Sequence, residues 1–119
     1  RIKKHSGGSY TLIDKLGNPI KYDKDGDPNF RPYLNDRWGI KEVVIPGGFT
    51  QPPSRTSDFR KANKEATKIH KEANDWDGGS PPGYTWHHTR DGKTMQVVPR
   101  KIHSTFGHRG GVADIAQDS

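Results

Sequence analysis

The sequence predicts a small α+β fold in which one amphipathic helix precedes a β-hairpin and a second, shorter helix. Apolar residues recur three and four positions apart over residues 57–76, which is the periodicity of a helix with one buried face. An Asp-Gly pair at positions 91–92 lies between two short apolar runs, which is typical of a hairpin turn. Pro99 and Gly107 then bound a segment in which proline suits the start of a helix and glycine its end.

The composition predicts a small hydrophobic core and a polyanionic partner. Hydrophobic residues make up only 28% of the 119 residues, so a metal ion or a tight partner is expected to help hold the fold. The chain carries 20 Lys and Arg against 14 Asp and Glu, a net charge of +6, which favours nucleic acid over a membrane surface. No apolar run approaches the length of a membrane span, so no membrane anchor is predicted. The absence of cysteine excludes disulfides and thiolate metal sites.

The first half of the chain is predicted to be rich in turns, with short strands at Tyr10–Ile13 and Lys41–Ile45. A helix follows over residues 57–76, with Thr56, Ser57 or Asp58 as candidates to cap its start. Its predicted buried stripe consists of Phe59, Ala62, Ala66, Ile69, Ala73 and Trp76.

The second half of the chain is predicted to form a strand, a turn, a strand and a helix in that order. The strands are Tyr84–Thr89 and Thr94–Val98, and the helix is Arg100–Phe106. Alternation along the first strand places Trp86 on the same face as His88 and on the opposite face from His87. Trp86 is predicted to be a core residue, in preference to a residue that stacks on a nucleic acid base.

Four of the six histidines fall within this strand-turn-strand-helix segment, at His87, His88, His103 and His108. Because His87 and His88 are adjacent on a strand, they point to opposite faces and are expected to divide their roles. One can bind a cation while the other reaches a water molecule. Neutral imidazoles suit a divalent transition ion, so the cluster favours a metal site over scattered surface histidines.

The residues that surround these histidines resemble a known nuclease family. The runs that carry the likeness are Gly83-Tyr84-Thr85-Trp86-His87-His88, Asp91-Gly92-Lys93-Thr94-Met95-Gln96-Val97-Val98-Pro99, His103, and Gly107-His108 with Gly110-Gly111. They resemble the WHH group of the HNH/endonuclease VII superfamily, whose members are ββα-metal (His-Me finger) nucleases. Such domains are often the C-terminal toxin domains of bacterial polymorphic toxins.

The resemblance implies a role for each histidine. His88 corresponds to the general base, and His87 and His103 correspond to metal ligands. His108 corresponds to a further ligand or to a contact of the scissile phosphate. The implied cofactor is one divalent metal ion, with zinc, nickel, magnesium and manganese all open.

The asparagine of the HNH pattern is missing from this chain, which leaves open the group that orients the base. Thr94 and Gln96 on the facing strand are the candidates for that role. Basic residues beside the motif are candidate contacts of backbone phosphates, namely Arg90, Lys93, Arg100, Lys101 and Arg109.

The expected organisation is a single nuclease toxin domain over residues 1–119, with an accessory region at 1–82 and the catalytic motif at 83–111. Because Met95 is the only methionine, the chain is expected to be a piece of a longer protein. The expected function is DNA hydrolysis in the cytoplasm of a competitor cell, after secretion or translocation from the producing bacterium. A cognate immunity protein with an acidic surface is the expected inhibitor.

Three alternatives to this function stay open at the level of the sequence. One is a toxin that cuts RNA or tRNA. Another is a non-catalytic, zinc-stabilised DNA-binding module, which would use four closed ligands rather than leave His88 unligated. The third is a housekeeping HNH enzyme of phage or restriction origin, which would need no inhibitor.

Overall fold

A computed structural model describes residues 1–34, 37–76 and 79–106. The chain divides into two compact units. Of the described residues, 1–32 and 101–106 form the sheet unit, and those between 33 and 100 form the hairpin unit. The α+β class and the strand-strand-helix order predicted from the sequence are confirmed.

The sheet unit is built on three antiparallel strands in the order β1-β2-β3, which span Ile2–Lys4, Tyr10–Ile13 and Pro19–Tyr22. Leu12 of β2 lies opposite Ile20 of β3, and both are buried. The predicted strand over residues 10–13 is confirmed. The turn that follows it is held by Asp14, whose carboxylate accepts hydrogen bonds from the backbone N–H groups of Leu16 and Asn18.

Helix α2 spans Arg100–Phe106. All of this helix except its first residue belongs to the sheet unit. The buried hydroxyl of Tyr22 donates a hydrogen bond to the carbonyl of Phe106, with 2.9 Å between the two oxygens. Phe30 packs against the ring of His103, with 5.8 Å between ring centroids. The bounds predicted for this helix are confirmed.

The hairpin unit contains a second antiparallel sheet in the order β4-β6-β5, formed by Glu42–Val44, Thr94–Pro99 and Tyr84–His88. The carboxylate of Asp91 holds the turn between β5 and β6 by accepting from the N–H groups of Lys93 and Thr94, each at 2.8 Å. Gly92 supplies the positive φ of 81° that this turn needs. The predicted hairpin is therefore confirmed, and β4 lies within the predicted strand at 41–45.

Helix α1, Arg55–Thr67, packs on one face of this sheet through Phe59, Ala62 and Ala66. It is shorter than the helix predicted over residues 57–76, and its N-cap is Ser54 rather than residue 56, 57 or 58. The side chain of Thr67 donates to the carbonyl of Asn63, a local bond that competes with continuation of the helix.

The chain after α1 forms a 3-10 helix over Lys71–Trp76, which buries Ala73 and Trp76. The predicted stripe is correct at these two positions and wrong at Ile69, which is 56% exposed because it lies in the turn between the two helices. Two further 3-10 turns occur at Ser6–Gly8 and Arg31–Tyr33. No helix in the described parts of the chain is long and apolar enough to cross a membrane.

Candidate active site

The two adjacent histidines of β5 lie on opposite faces of the hairpin sheet, as alternation predicts. His88 is paired with Met95 of β6, on the face that packs against α1. His87 is paired with Gln96, on the other face. The two imidazoles therefore meet different surroundings and can perform different chemistry.

The His88 ring is held by a carboxylate from α1. Its Nε2 lies 3.0 Å from Oδ2 of Asp58, whose side chain is completely buried. The side chain of His88 keeps 26% of its surface exposed. The site thus combines a partly exposed imidazole with a buried carboxylate behind it.

The start of α1 fixes Asp58 in this position. Oδ1 of Asp58 accepts from both the backbone N–H and the hydroxyl of Thr50, each at 2.8 Å. Oδ2 also accepts from the backbone N–H of Ser54, at 3.1 Å. The carboxylate consequently receives three hydrogen bonds besides its contact with His88, and it has little freedom to move.

The sequence offers Asp58 as a candidate cap of the helix and does not predict its contact with His88. A signal for it is nevertheless present, because Asp58 stands one helical turn before Ala62 and two before Ala66 on the buried face. A carboxylate on the apolar face of a helix needs a partner, since an unpaired buried charge is very costly. The identity of that partner does not follow from the sequence.

Two aromatic rings complete the surroundings of His88. Phe49 meets the imidazole edge-on, with 4.6 Å between centroids and 83° between planes. Phe59 lies at a tilt, with 6.2 Å between centroids. On the exposed side of α1, Nζ of Lys61 donates to the hydroxyl of Thr50 at 3.1 Å and lies 4.0 Å from Oδ1 of Asp58.

The prediction that Thr94 or Gln96 orients His88 is corrected by this geometry. Both residues project from the sheet face that carries His87, because they alternate with Met95 along β6. Thr94 donates its hydroxyl to Asp91 in the hairpin turn. The side-chain amide of Gln96 donates to Oε1 of Glu42 at 3.2 Å.

His87 lies in a polar row that crosses the sheet. Glu42, Gln96 and His87 are successive register partners on strands β4, β6 and β5, and only 8% of His87 is exposed. A buried imidazole beside an amide and a carboxylate is in a polar environment that suits a ligand. The assignment of His87 as a metal ligand stays a prediction.

The other predicted ligands are placed only in part. His103 lies on α2, as predicted, and belongs to the sheet unit. His108 and Arg109 lie outside the described residues. Within residues 1–34, 37–76 and 79–106, no three histidine, cysteine or acidic side chains are grouped so as to hold a metal ion. Imidazole, the side-chain group of each predicted ligand, is a donor that suits a divalent transition ion.

Four of the five candidate phosphate contacts belong to the described residues, and all four are exposed, namely Arg90, Lys93, Arg100 and Lys101. Arg90 and Lys93 belong to the turn between β5 and β6. Arg100 follows β6 directly, and its guanidinium donates to the carbonyl of Tyr84 at 3.3 Å. The hairpin therefore presents positive charge at its turn and at its far end.

The hydrogen bonds to Asp58 predict a dependence of stability on acid. Burial alone would raise the pKa of Asp58, but the bonds from Thr50, His88 and Ser54 outweigh it and lower the pKa from 3.8 to about 2. Because the folded-state pKa lies below the unfolded one, the stabilisation is complete above about pH 4 and is lost as the pH falls towards 2. We expect the free energy of unfolding of the wild type to exceed that of Asp58→Asn by a margin that shrinks over this range.

Urea unfolding of the two proteins at a series of pH values measures that margin. Asp91→Asn provides a parallel case. Burial alone would raise the pKa of Asp91, but hydrogen bonds from Thr94, Lys93 and Thr89 outweigh burial and lower the pKa to about 2. A difference between wild type and Asp58→Asn that stays constant from pH 6 to pH 2 would contradict a lowered pKa at this position.

Comparison with known proteins finds a family match in the segment that contains the hairpin and its histidines. Residues 77–118 match a family model described as a nuclease of the HNH/ENDO VII superfamily with conserved WHH. The match contains Trp86, His87 and His88 in succession, together with the hairpin and α2. It does not include Asp58. No curated protein matches the chain.

Proposed function

Because residues 77–118 match the family model of WHH nucleases of the HNH/ENDO VII superfamily, we propose that the chain is a metal-dependent endonuclease that hydrolyses phosphodiester bonds of DNA. The WHH domain supports nuclease activity, and with it a nucleic acid substrate. The observation that carries the proposal is the His88 ring, which is partly exposed and is anchored by a buried carboxylate. An imidazole so held can accept a proton without having to be oriented first.

His88 is the general base of the proposed reaction. The neutral form of an imidazole has a lone pair on one ring nitrogen, and that lone pair can accept a proton from water. The oxygen of that water attacks phosphorus while the bond from phosphorus to the 3′ oxygen breaks. The proton of the water passes to His88, and the leaving 3′ oxygen takes a proton from solvent. No covalent enzyme intermediate is required.

The proposed metal ligands are His87, His103 and His108. A divalent cation supplies charge neutralisation at the phosphate when it is bound. Imidazole ligation favours zinc, nickel or manganese over magnesium. The structure of β5 supports separate roles for its two histidines. His87 and His88 lie on opposite faces of the sheet, so His87 can bind a metal ion while His88 stays unligated.

The basic residues of the hairpin and of α2 are proposed to hold the nucleic acid backbone. Arg90, Lys93, Arg100 and Lys101 are exposed, and such residues contact phosphates without reading the sequence of bases. Arg109 is proposed for the same role from the sequence. DNA is proposed as the substrate, because no feature of the chain points to recognition of a 2′-hydroxyl group.

The biological role that we propose is that of an antibacterial toxin domain. It would be secreted or translocated from the producing bacterium and would cut DNA in the cytoplasm of the target cell. The producing cell then needs a cognate immunity protein. The net charge of +6 favours an inhibitor with an acidic surface, which would also associate faster through electrostatic steering.

Plasmid cleavage tests the proposed function. We expect supercoiled plasmid to be nicked and linearised when Mg²⁺, Mn²⁺, Ni²⁺ or Zn²⁺ is present, and excess EDTA to abolish the cutting. A parallel incubation with total tRNA distinguishes the two polymers. Cutting of tRNA with no cutting of plasmid would contradict the choice of DNA, and cutting of neither with any metal would contradict the nuclease itself.

A melting experiment separates metal binding from catalysis. Added Zn²⁺ or Ni²⁺ should raise Tm, because the ion binds the folded chain. The shift should vanish in His87→Ala and persist in His70→Ala. His70 is the matched control because it is a histidine outside the predicted ligand set. It lies between α1 and the 3-10 helix, where its ring accepts a hydrogen bond from the N–H of Glu72.

A further inference from the structure

We infer that Asp58 is the positioning residue of His88, fixing the imidazole so that Nδ1 accepts the proton of the attacking water. This inference rests on the proposed function, in which His88 is the general base. It adds a residue from α1 that lies outside the matched segment of residues 77–118.

The direction of the hydrogen bond between the two side chains follows from the chemistry of the carboxylate. An ionised carboxylate has no proton to donate and can only accept. Both oxygens of Asp58 already accept, from Thr50 at Oδ1 and from Ser54 at Oδ2, which is the pattern of an ionised group. The proton in the contact of 3.0 Å therefore belongs to Nε2 of His88.

With the proton on Nε2, the lone pair of the neutral ring is on Nδ1. Asp58 is the only hydrogen-bond partner of the His88 ring among residues 1–34, 37–76 and 79–106. The ring keeps 26% of its surface exposed. A neutral His88 consequently has one nitrogen bonded to the buried carboxylate, while the other has no hydrogen-bond partner among the described residues.

Asp58 also limits the rotation of the imidazole. Phe49 and Phe59 border the ring but offer no polar group to it. The hydrogen bond to Asp58 is thus the directional contact that selects one ring orientation. Because Thr50 and Ser54 anchor the carboxylate to backbone at the start of α1, the ring is oriented by a rigid element.

The substitution Asp58→Asn reverses this hydrogen bond with little change of shape. The two donors of Thr50 keep the carbonyl oxygen of the new amide at the Oδ1 position. The amide NH2 then faces Nε2 of His88 and favours a lone pair there, which moves the ring proton to Nδ1. It also leaves the backbone N–H of Ser54 without its acceptor, so the variant should be less stable than the wild type. We expect kcat for plasmid cleavage to fall about 100-fold or more, with KM changed less than about threefold.

Asn63→Ala is the matched control for loss of stability. Asn63 lies on the same helix, and its Oδ1 accepts from Nε1 of Trp86 on the same strand, at 2.7 Å. The control removes this buried bond between α1 and β5, and the bond from Nδ2 of Asn63 to the carbonyl of Gly79, without touching His88. It should lower Tm yet keep kcat within about threefold of wild type when cleavage is assayed well below Tm. Equal losses of kcat in both variants would reduce Asp58 to a structural role and overturn the inference.

The protonation state of the His88 ring tests the inference without any assay of activity. Long-range ¹⁵N–¹H NMR spectra of histidine-labelled protein at about pH 8.5, with His88→Ala for assignment, should show a proton on Nε2 and none on Nδ1. Asp58→Asn should move the proton to Nδ1. A wild-type ring with its proton on Nδ1, or with protons on both nitrogens, overturns the inference even if Asp58→Asn does not fold.

The two proposals fail in different ways. If wild-type protein cuts plasmid, His88→Ala does not, and Asp58→Asn keeps full kcat, the role of Asp58 is overturned and the nuclease stands. If wild-type protein cuts no nucleic acid, the proposed function fails, and the role of Asp58 fails with it because there is no base to position.

Discussion

Replacing His88 with alanine should lower the rate of plasmid cleavage by about 100- to 10,000-fold, the contribution typical of a positioned general base. The variant retains His87 and His103 and all five basic candidates, so binding of DNA should be nearly unchanged. The loss is therefore expected in kcat rather than in KM. Single-turnover cleavage of plasmid measures it, with DNA affinity followed separately in the presence of EDTA.

The stability of His88→Ala has to be measured alongside its activity. Removal of the ring leaves Asp58 with its bonds from Thr50 and Ser54, so the carboxylate remains hydrogen-bonded and the fold should survive with a lower Tm. His70→Ala is the control for loss of an imidazole elsewhere and should cut plasmid at the wild-type rate. Cutting by His88→Ala at the wild-type rate would remove His88 from the chemistry altogether.

The hairpin could be predicted from the sequence because the interactions that define it are local. Asp91 bonds to residues two and three positions further along, and Gly92 supplies the backbone conformation that the turn requires. Strand alternation then fixes the opposite faces of His87 and His88 from sequence alone. Signals of this kind act within a few residues, so no tertiary information is needed to interpret them.

The end of α1 illustrates where periodicity misleads. The apolar stripe continues through Ala73 and Trp76, and both residues are indeed buried. The chain reaches them through a turn and a 3-10 helix, however, and Ile69 is left exposed between them. The apolar pattern indicates which side chains are buried but does not fix the backbone that brings them into the core. A turn followed by a 3-10 helix buries Ala73 and Trp76 as well as a continuous α-helix would.

The partner of His88 could not be predicted because it is set by tertiary packing. Asp58 and His88 are 30 positions apart, and their contact depends on how α1 crosses the hairpin sheet. Sequence reasoning sought the orienting group on the facing strand, where Thr94 and Gln96 lie. Those side chains project from the other face of the sheet, so helix packing rather than strand pairing supplies the partner.

Trp86 links β5, the strand of His88, to α1, the helix of Asp58. Its replacement by alanine should therefore cause a large loss of stability. Its side chain is only 2% exposed, and its indole N–H donates to Oδ1 of Asn63 at 2.7 Å. Trp76 packs against the ring, with 6.3 Å between centroids. The prediction that Trp86 is a core residue is confirmed. The first residue of the Trp-His-His run thus builds the support for the two that follow.

Trp86→Ala should lower the free energy of unfolding by about 3–5 kcal/mol, the usual cost of deleting a buried aromatic side chain. Small domains have about 5–15 kcal/mol in total, so Tm should fall by about 10–20 °C or the folded state should be lost. Thermal and urea unfolding, followed by circular dichroism, measure the change.

Trp86→Phe separates the two contributions of the indole. It retains much of the buried aromatic surface but removes the hydrogen bond from the indole N–H to Oδ1 of Asn63, so its cost should be smaller, about 1–3 kcal/mol. Combining Trp86→Phe with Asn63→Ala should cost less than the two single changes added together, because both single changes remove the same hydrogen bond between the indole and Asn63. Additive losses would show that the bond between helix and strand contributes little.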